Sequence, residues 1–191
     1  MIIIIPGFLR KKQFYQSLGD RLQKEGFRVE IVDLGINTKG LEAAYQKVLG
    51  YFKETSGKDT VIAHSFGGIV LKYILLRHPE VSAQIQNIVF VSVPHGGSWA
   101  ALFTSVFQTA RDLLPFRRHF KEIAKVSLPE ATVNFIPSTE LKVWMRRGSL
   151  LKDRIDIVIP DTNHDSIINN EAFITKAIKF INSNYDRIFL D

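Results

Sequence analysis

The sequence predicts an α/β fold built on one mostly parallel sheet, and three observations carry the prediction. Short β-branched apolar runs recur along the chain, beginning with Ile2–Ile5. Amphipathic patterns at helical spacing stand between them, which implies right-handed β-α-β crossovers with helices on both faces of the sheet. One apolar run, Thr60–Ala63, passes through His64-Ser65-Phe66-Gly67-Gly68 directly into a helical pattern. A strand that turns sharply into a helix needs small residues at the turn, because the two backbones approach closely there.

The elements follow in order. Ile2–Ile5 reads as a central strand buried on both faces, and Pro6-Gly7-Phe8-Leu9 as a turn. From Lys11 to about Glu25, Phe14, Leu18 and Leu22 fall at helical spacing, and Gly26 closes the helix. Arg28–Leu34 is a second strand, and Leu41, Ala44, Tyr45, Val48 and Phe52 mark a helix that ends near Gly57. Asp59–His64 is the third strand, and the helix after Ser65 runs to about His78, where Pro79 stops it. Asn87–Val93 is the fourth strand, followed by the loop Pro94-His95-Gly96-Gly97-Ser98. Trp99, Leu102, Phe103, Val106, Phe107, Ala110, Leu113 and Leu114 then predict one long helix ending at Pro115. Thr132–Ile136 and Ile155–Ile159 complete about six strands, and Phe173, Ile174, Ala177, Ile178 and Ile181 mark a last helix.

The chain has 191 residues with no repeat, linker or low-complexity segment, so residues 1–191 are read as a single domain. Ile2–Ile5 is too short for the apolar core of a signal peptide and lacks a basic leader, and no apolar run approaches a membrane span. The chain has no cysteine, hence no disulfide, thiol nucleophile or thiolate metal site. A cytoplasmic protein without stable membrane insertion is expected. The formal net charge is +6. Arg111, Arg117, Arg118 and Lys121, with Arg146 and Arg147, read as solvated helix faces rather than a nucleic-acid stripe.

Ala63-His64-Ser65-Phe66-Gly67 resembles the nucleophile elbow of the α/β-hydrolase superfamily, with alanine in place of the first glycine. The strand count resembles a minimal α/β-hydrolase fold, as in small bacterial lipases and esterases that lack the two N-terminal strands and a separate cap. The resemblance covers essentially the whole chain and is specific around three loops. It implies that Ser65 is a nucleophile set at a helix N-terminus, where backbone N–H groups meet developing negative charge.

A serine hydroxyl needs a base within hydrogen-bond reach, itself oriented by an acid. The family order is serine, acid, histidine, each on a loop after a strand. Of the five histidines, His64 lies inside the elbow, too close to Ser65 to serve as its base. His78 ends a helix, His119 lies in a basic stretch, and His95 precedes any candidate acid. His164 follows the sixth strand and precedes the last helix, where the family places its catalytic histidine. Glu140 follows the fifth strand and stands 24 positions before His164, matching the family's acid with Glu in place of Asp. Asp153 is the competing acid.

The resemblance implies oxyanion donors at the backbone N–H of Phe66 and of Phe8, with Leu9 the fallback for Phe8. Pro6 stands where the family has histidine. Pro94–Ser98 is similar to a loop that shapes the pocket floor in many lipases and esterases. The expected pocket residues are His95 in that loop, Leu9 after the first strand, and Trp99 and Phe103 of the following helix, which is read either as lining an acyl pocket or as a partly mobile lid. Most of the helix after Trp99 is expected to pack on the sheet, with a few apolar side chains left at the pocket.

The expectation is a serine esterase or lipase acting on a small-molecule or lipid ester. The alternatives are a thioesterase or amidase with the same triad, or a catalytically silent scaffold. No cofactor or metal is implied, and no nucleic-acid partner is expected.

Overall fold

The computed structural model describes residues 1–54, 57–139, 150–151 and 154–183. In chain order the elements are β1 (Ile2–Ile5), α1 (Gln16–Lys24), β2 (Val29–Ile31), α2 (Leu41–Glu54), β3 (Asp59–His64), α3 (Phe66–Arg77) and β4 (Ile85–Val91). They continue with α4 (Gln108–Asp112), α5 (Arg118–Ile123), β5 (Thr132–Thr139), β6 (Ile155–Asn163) and α6 (Glu171–Asn182). The six strands form one sheet in the order β2-β1-β3-β4-β5-β6, and every pairing is parallel.

Alternation along β1 shows how one strand serves two cores. Ile3 and Ile5 join the cluster under α2 and α3, whereas Ile2 and Ile4 face α1 and α6 through Leu18, Leu22 and Phe173. All four isoleucines are essentially inaccessible to solvent. Both faces are therefore covered, which is why the central strands read as continuous apolar runs. The proline of β6, Pro160, sits in the edge strand, where a missing N–H costs no ladder bond on the open side. Pro137 in β5 faces β6, and the register shifts just after it.

The strand order puts the topological switch between β1 and β3, because the chain leaves β1 toward β2 and returns on the other side. In open parallel sheets the crevice past the carboxyl ends at such a switch is where ligands bind. Among the described residues, four of the five non-glycine residues with positive φ lie near the carboxyl ends of the strands: Leu9, Ser65, Ser92 and Asp161. Backbone strain is thus concentrated on one rim of the sheet.

Two expectations are corrected. The periodic run from Trp99 to Leu114 is not one helix but a 3-10 turn over Trp99–Thr104 followed by the short α4. The 3-and-4 spacing was real but did not mark a single buried stripe: Leu102, Phe103 and Val106 are exposed, while Ala101, Ala110, Leu113 and Leu114 are buried. The helix expected from Lys11 likewise begins as a 3-10 turn, Lys12–Tyr15, before α1. No helix among the described residues is long and apolar enough to cross a membrane.

Candidate active site

Ser65 stands between β3 and α3 with φ 52° and ψ −121°, a conformation that L-residues seldom adopt. Such strain persists only where surrounding structure overdetermines it. Here the determination comes from contact. A Cβ added at Gly67 would lie 2.3 Å from the carbonyl oxygen of Ile5, and one at Gly68 would lie 2.3 Å from a methyl of Val93. Gly67 lets α3 start directly against the end of β1, and Gly68 lets it sit against Val93 and Phe90 of the β4 segment. Ser65 is also pinned from behind, its N–H donating to the Val91 carbonyl at 2.9 Å.

His164 comes from the other side of the sheet, one residue past β6. Its Nε2 lies 2.8 Å from Ser65 Oγ, and both residues are buried. Two groups 99 positions apart in the chain meet at the rim where β1, β3 and β6 all end. Glu140 and Asp153, the two expected acids, lie outside the described residues, as do Arg146 and Arg147.

Phe66 is the first residue of α3, so its N–H is among those a helix leaves without an internal partner. On the β1 loop the Gly7 N–H is already engaged, donating to Tyr15 Oη at 2.8 Å. The next residues, Phe8 and Leu9, line the cavity beside Ser65. That cavity holds about 230 Å³, and its apolar wall comes from Phe8, Leu9, Pro94, Ala100, Ala101 and Leu113.

Three expected pocket residues stand elsewhere. His95 is buried beneath its loop, its ring edge-on to Phe90 at 5.0 Å. Burial first, and the nearby Lys72 charge second, hold its pKa well below the usual imidazole value. Trp99 and Phe103 turn outward from the 3-10 turn, and Phe103 is 82% exposed. A 3-10 turn has three residues per turn, so its small residues Ala100 and Ala101 face the cavity where a continuous α-helix was expected to present aromatics.

The site contains groups that sequence reasoning passed over. Tyr15 Oη is 2.7 Å from His64 Nδ1, and His64 Nε2 is 3.0 Å from the backbone carbonyl of His164. Burial is the main reason the His64 pKa is held down to about 3, with the neighbouring His164 adding to it. Burial likewise pushes the Tyr15 phenol up. Nearer the surface, Arg10 from the β1 loop makes a two-pronged pair with Asp165, Nε to Oδ1 at 3.1 Å and Nη2 to Oδ2 at 2.7 Å. That pairing raises the Arg10 pKa, and its guanidinium also lies over the Phe14 ring. The signal available in the sequence was Tyr15 itself. It shares the 3-and-4 stripe with Leu18 and Leu22, and a buried tyrosine needs a partner for its hydroxyl.

Among the described residues, one group of three metal-ligand types, His64, His164 and Asp165, lies within 4.8 Å. Both nitrogens of His64 are engaged with Tyr15 and His164, and Asp165 holds Arg10, so this cluster is knit into the loops. The basic residues after Pro94 are engaged locally: Arg111 donates to the Ser105 and Val106 carbonyls, Arg117 pairs with Asp112, and Arg118 with Glu122.

No protein-family model and no curated protein matches the sequence. Solved structures do match. The mature lipase BlEst2 of Bacillus licheniformis superposes with a TM-score of 0.74 at 15% identity, covering 94% of this chain and 91% of that one. The fold is that of the α/β-hydrolases. A monoacylglycerol lipase of Paleococcus ferrophilus gives 0.69 at 13% identity over 94% and 91% of the two chains. An N-formylmaleamic acid deformylase of Pseudomonas putida gives 0.70 at 16% over 91% and 90%. At these identities the likeness is one of fold, and what this chain does is argued from its own rim.

Proposed function

We propose that this α/β-hydrolase domain is a serine hydrolase that cleaves carboxylic esters through an acyl-enzyme on Ser65. The observation that carries the reading is the buried 2.8 Å contact between His164 Nε2 and Ser65 Oγ at the switch point of the sheet. Hydroxyl and imidazole at this distance form a nucleophile–base pair, and the strained elbow holds the nucleophile up for attack.

Ser65 Oγ adds to the ester carbonyl carbon while its proton passes to His164 Nε2. The carbonyl oxygen becomes an oxyanion facing the N–H groups of Phe66 and Phe8, donors of a kind worth roughly 3 kcal/mol each. His164 returns the proton to the departing alkoxide, which leaves as the alcohol. Water then adds to the acyl carbon with the same histidine as base, and the carboxylic acid is released. Glu140 is the assigned partner for the imidazolium, with Asp153 the rival. The apolar wall of Phe8, Leu9, Ala100 and Leu113 favours an apolar acyl group, and the cavity needs no metal or organic cofactor for this chemistry.

The test is labelling with a fluorophosphonate probe, run beside nitrophenyl esters of increasing chain length, a thioester and an amide. The expected result is labelling at Ser65 and ester turnover. Ser65→Ala abolishes the label, and Ser65→Ala or His164→Ala lowers kcat by on the order of 10⁴-fold or more. A wild-type protein that neither labels nor turns over any substrate in the panel overturns the reading and leaves a silent scaffold.

A further inference from the structure

We infer that His64 and Tyr15 are positioning residues that tie the catalytic histidine and the oxyanion loop to the nucleophile elbow. The inference rests on the serine-hydrolase reading above and deepens it. Four hydrogen-bonding groups form an unbroken buried line: Gly7 N–H, Tyr15 Oη, His64 and the His164 carbonyl, spaced at 2.8, 2.7 and 3.0 Å.

The two ends of this line fix every proton in it. A backbone N–H only donates and a carbonyl only accepts. Tyr15 Oη therefore accepts from Gly7, which directs its own proton to His64 Nδ1. His64 Nδ1 accepts, so the ring carries its proton on Nε2 and donates to the His164 carbonyl. No other assignment satisfies all four groups while the ring is neutral. Burial keeps the ring neutral, and the charged or titratable groups around it are Tyr15, His164, Asp165 and Arg10. A second proton on His64 would make Nδ1 a donor and turn the tyrosine proton off this line, away from its acceptor.

The placement gives the line its consequence. His64 is the residue immediately before the nucleophile, Gly7 immediately precedes Phe8, and the acceptor is the backbone of the base itself. Three strand-end loops that meet only at this rim are joined through one imidazole. Packing tightens the same joint, since a Cβ on Gly7 would lie 3.0 Å from both His64 Nδ1 and Ser65 Cβ. The Arg10–Asp165 pair spans the β1 and β6 loops a second time nearer the surface, but it does not reach the elbow. A loop displaced by an ångström costs on the order of 10²-fold in rate, so a tie at this point acts on kcat.

His64→Gln, His64→Leu and Tyr15→Phe discriminate a hydrogen-bonding strut from mere filling. Glutamine offers one acceptor and one donor on a single planar group and restores the line, whereas leucine fills space without either. The expected result is that His64→Leu and Tyr15→Phe lower kcat on the best nitrophenyl ester by about 10²-fold with KM within about threefold of wild type. His64→Gln is expected to recover most of that loss. In ¹⁵N spectra of the folded wild-type protein, His64 should show a protonated Nε2 and a bare Nδ1 from pH 5 to 9. Equal kcat for His64→Leu and His64→Gln, or a His64 that carries its proton on Nδ1, overturns the inference. The nitrogen shifts are read on wild-type protein, so a variant that fails to fold leaves that arm decisive. A wild-type protein with no esterase activity would instead sink the catalytic reading, and the tautomer measurement would stand apart from it.

Discussion

Two regions of the same rim are built in opposite ways. Around Ser65 the loops after β1, β3 and β6 are joined by directed bonds between buried groups: Tyr15 to His64, His64 to His164, His164 to Ser65. After β4, residues 94–128 form turns and two short helices, and α4 is hydrogen-bonded through Thr109 and Asp112 to the 37–41 loop. The strip beside the cavity, however, is held by contacts such as Trp99–Phe116 and Phe8–Phe107, with Leu102, Phe103, Val106 and Phe116 left exposed. Hydrogen bonds lose strength within a few tenths of an ångström and a few tens of degrees, so they define positions. Apolar contacts are individually small and indifferent to direction, so they define a volume. The first region suits chemistry between fixed atoms, and the second suits the accommodation of an apolar chain.

The comparison breaks most sharply at Gly67. Gly67→Ala pushes a methyl into the Ile5 and Pro6 carbonyls, backbone atoms that cannot rotate away. The expected cost is roughly 3 kcal/mol in urea unfolding, with loss of fluorophosphonate labelling in whatever protein remains folded. Unchanged stability would mean that the elbow is looser than its geometry implies.

Beneath the second region the expected effect is a gain. Lys72 on α3 is 4% exposed, and burial holds its pKa down to about 8 from 10.5. Below about pH 8 both folded and unfolded chains carry this charge, so the folded state bears its full desolvation cost. Between pH 8 and 10.5 the folded lysine is neutral while the unfolded one still binds a proton, so stability rises with pH across that window. Lys72→Met is therefore expected to stabilise the protein by up to about 3 kcal/mol at pH 7. The advantage should disappear by pH 10.5, as read from denaturant midpoints at the two pH values. A variant less stable at pH 7 would show that the ammonium is stabilised by its surroundings.

The smallest effect is expected on the exposed strip. Phe103→Ser should change stability by no more than about 0.5 kcal/mol, because the ring is already in water. A larger loss in thermal unfolding would place Phe103 in a packed cluster and weaken the contrast between the two regions.

Legibility in the sequence follows the same division. The strands, the elbow and the pairing of Ser65 with His164 could be read because they rest on continuous apolar runs buried on both faces, glycine at a close backbone approach, and a histidine standing where the family resemblance puts the base of the serine. The segment after β4 was misread as one helix. Its 3-and-4 spacing mixes side chains that pack inward with others that face solvent, and spacing alone does not separate the two. Trp99 and Phe103 were misplaced for that reason, and His95 because a loop resemblance does not show that its ring packs inward on Phe90. His64 was correctly set aside as the base for Ser65, yet its role as a tie depends on a tyrosine 49 positions earlier and a carbonyl 100 positions later. The assignment of the acid to Glu140 or Asp153 lies on residues outside those described.

By itself the sequence determined the layers, the parallel sheet and the residue types able to carry chemistry, because burial period and turn sterics are local properties. Only the tertiary structure decided which polar atoms meet: that Tyr15 reaches His64, that His64 holds the backbone of His164, and that alanines rather than aromatics face the cavity. Hydrogen-bond partners across loops are fixed by the register and twist of the whole sheet, and no stretch of chain contains that information alone.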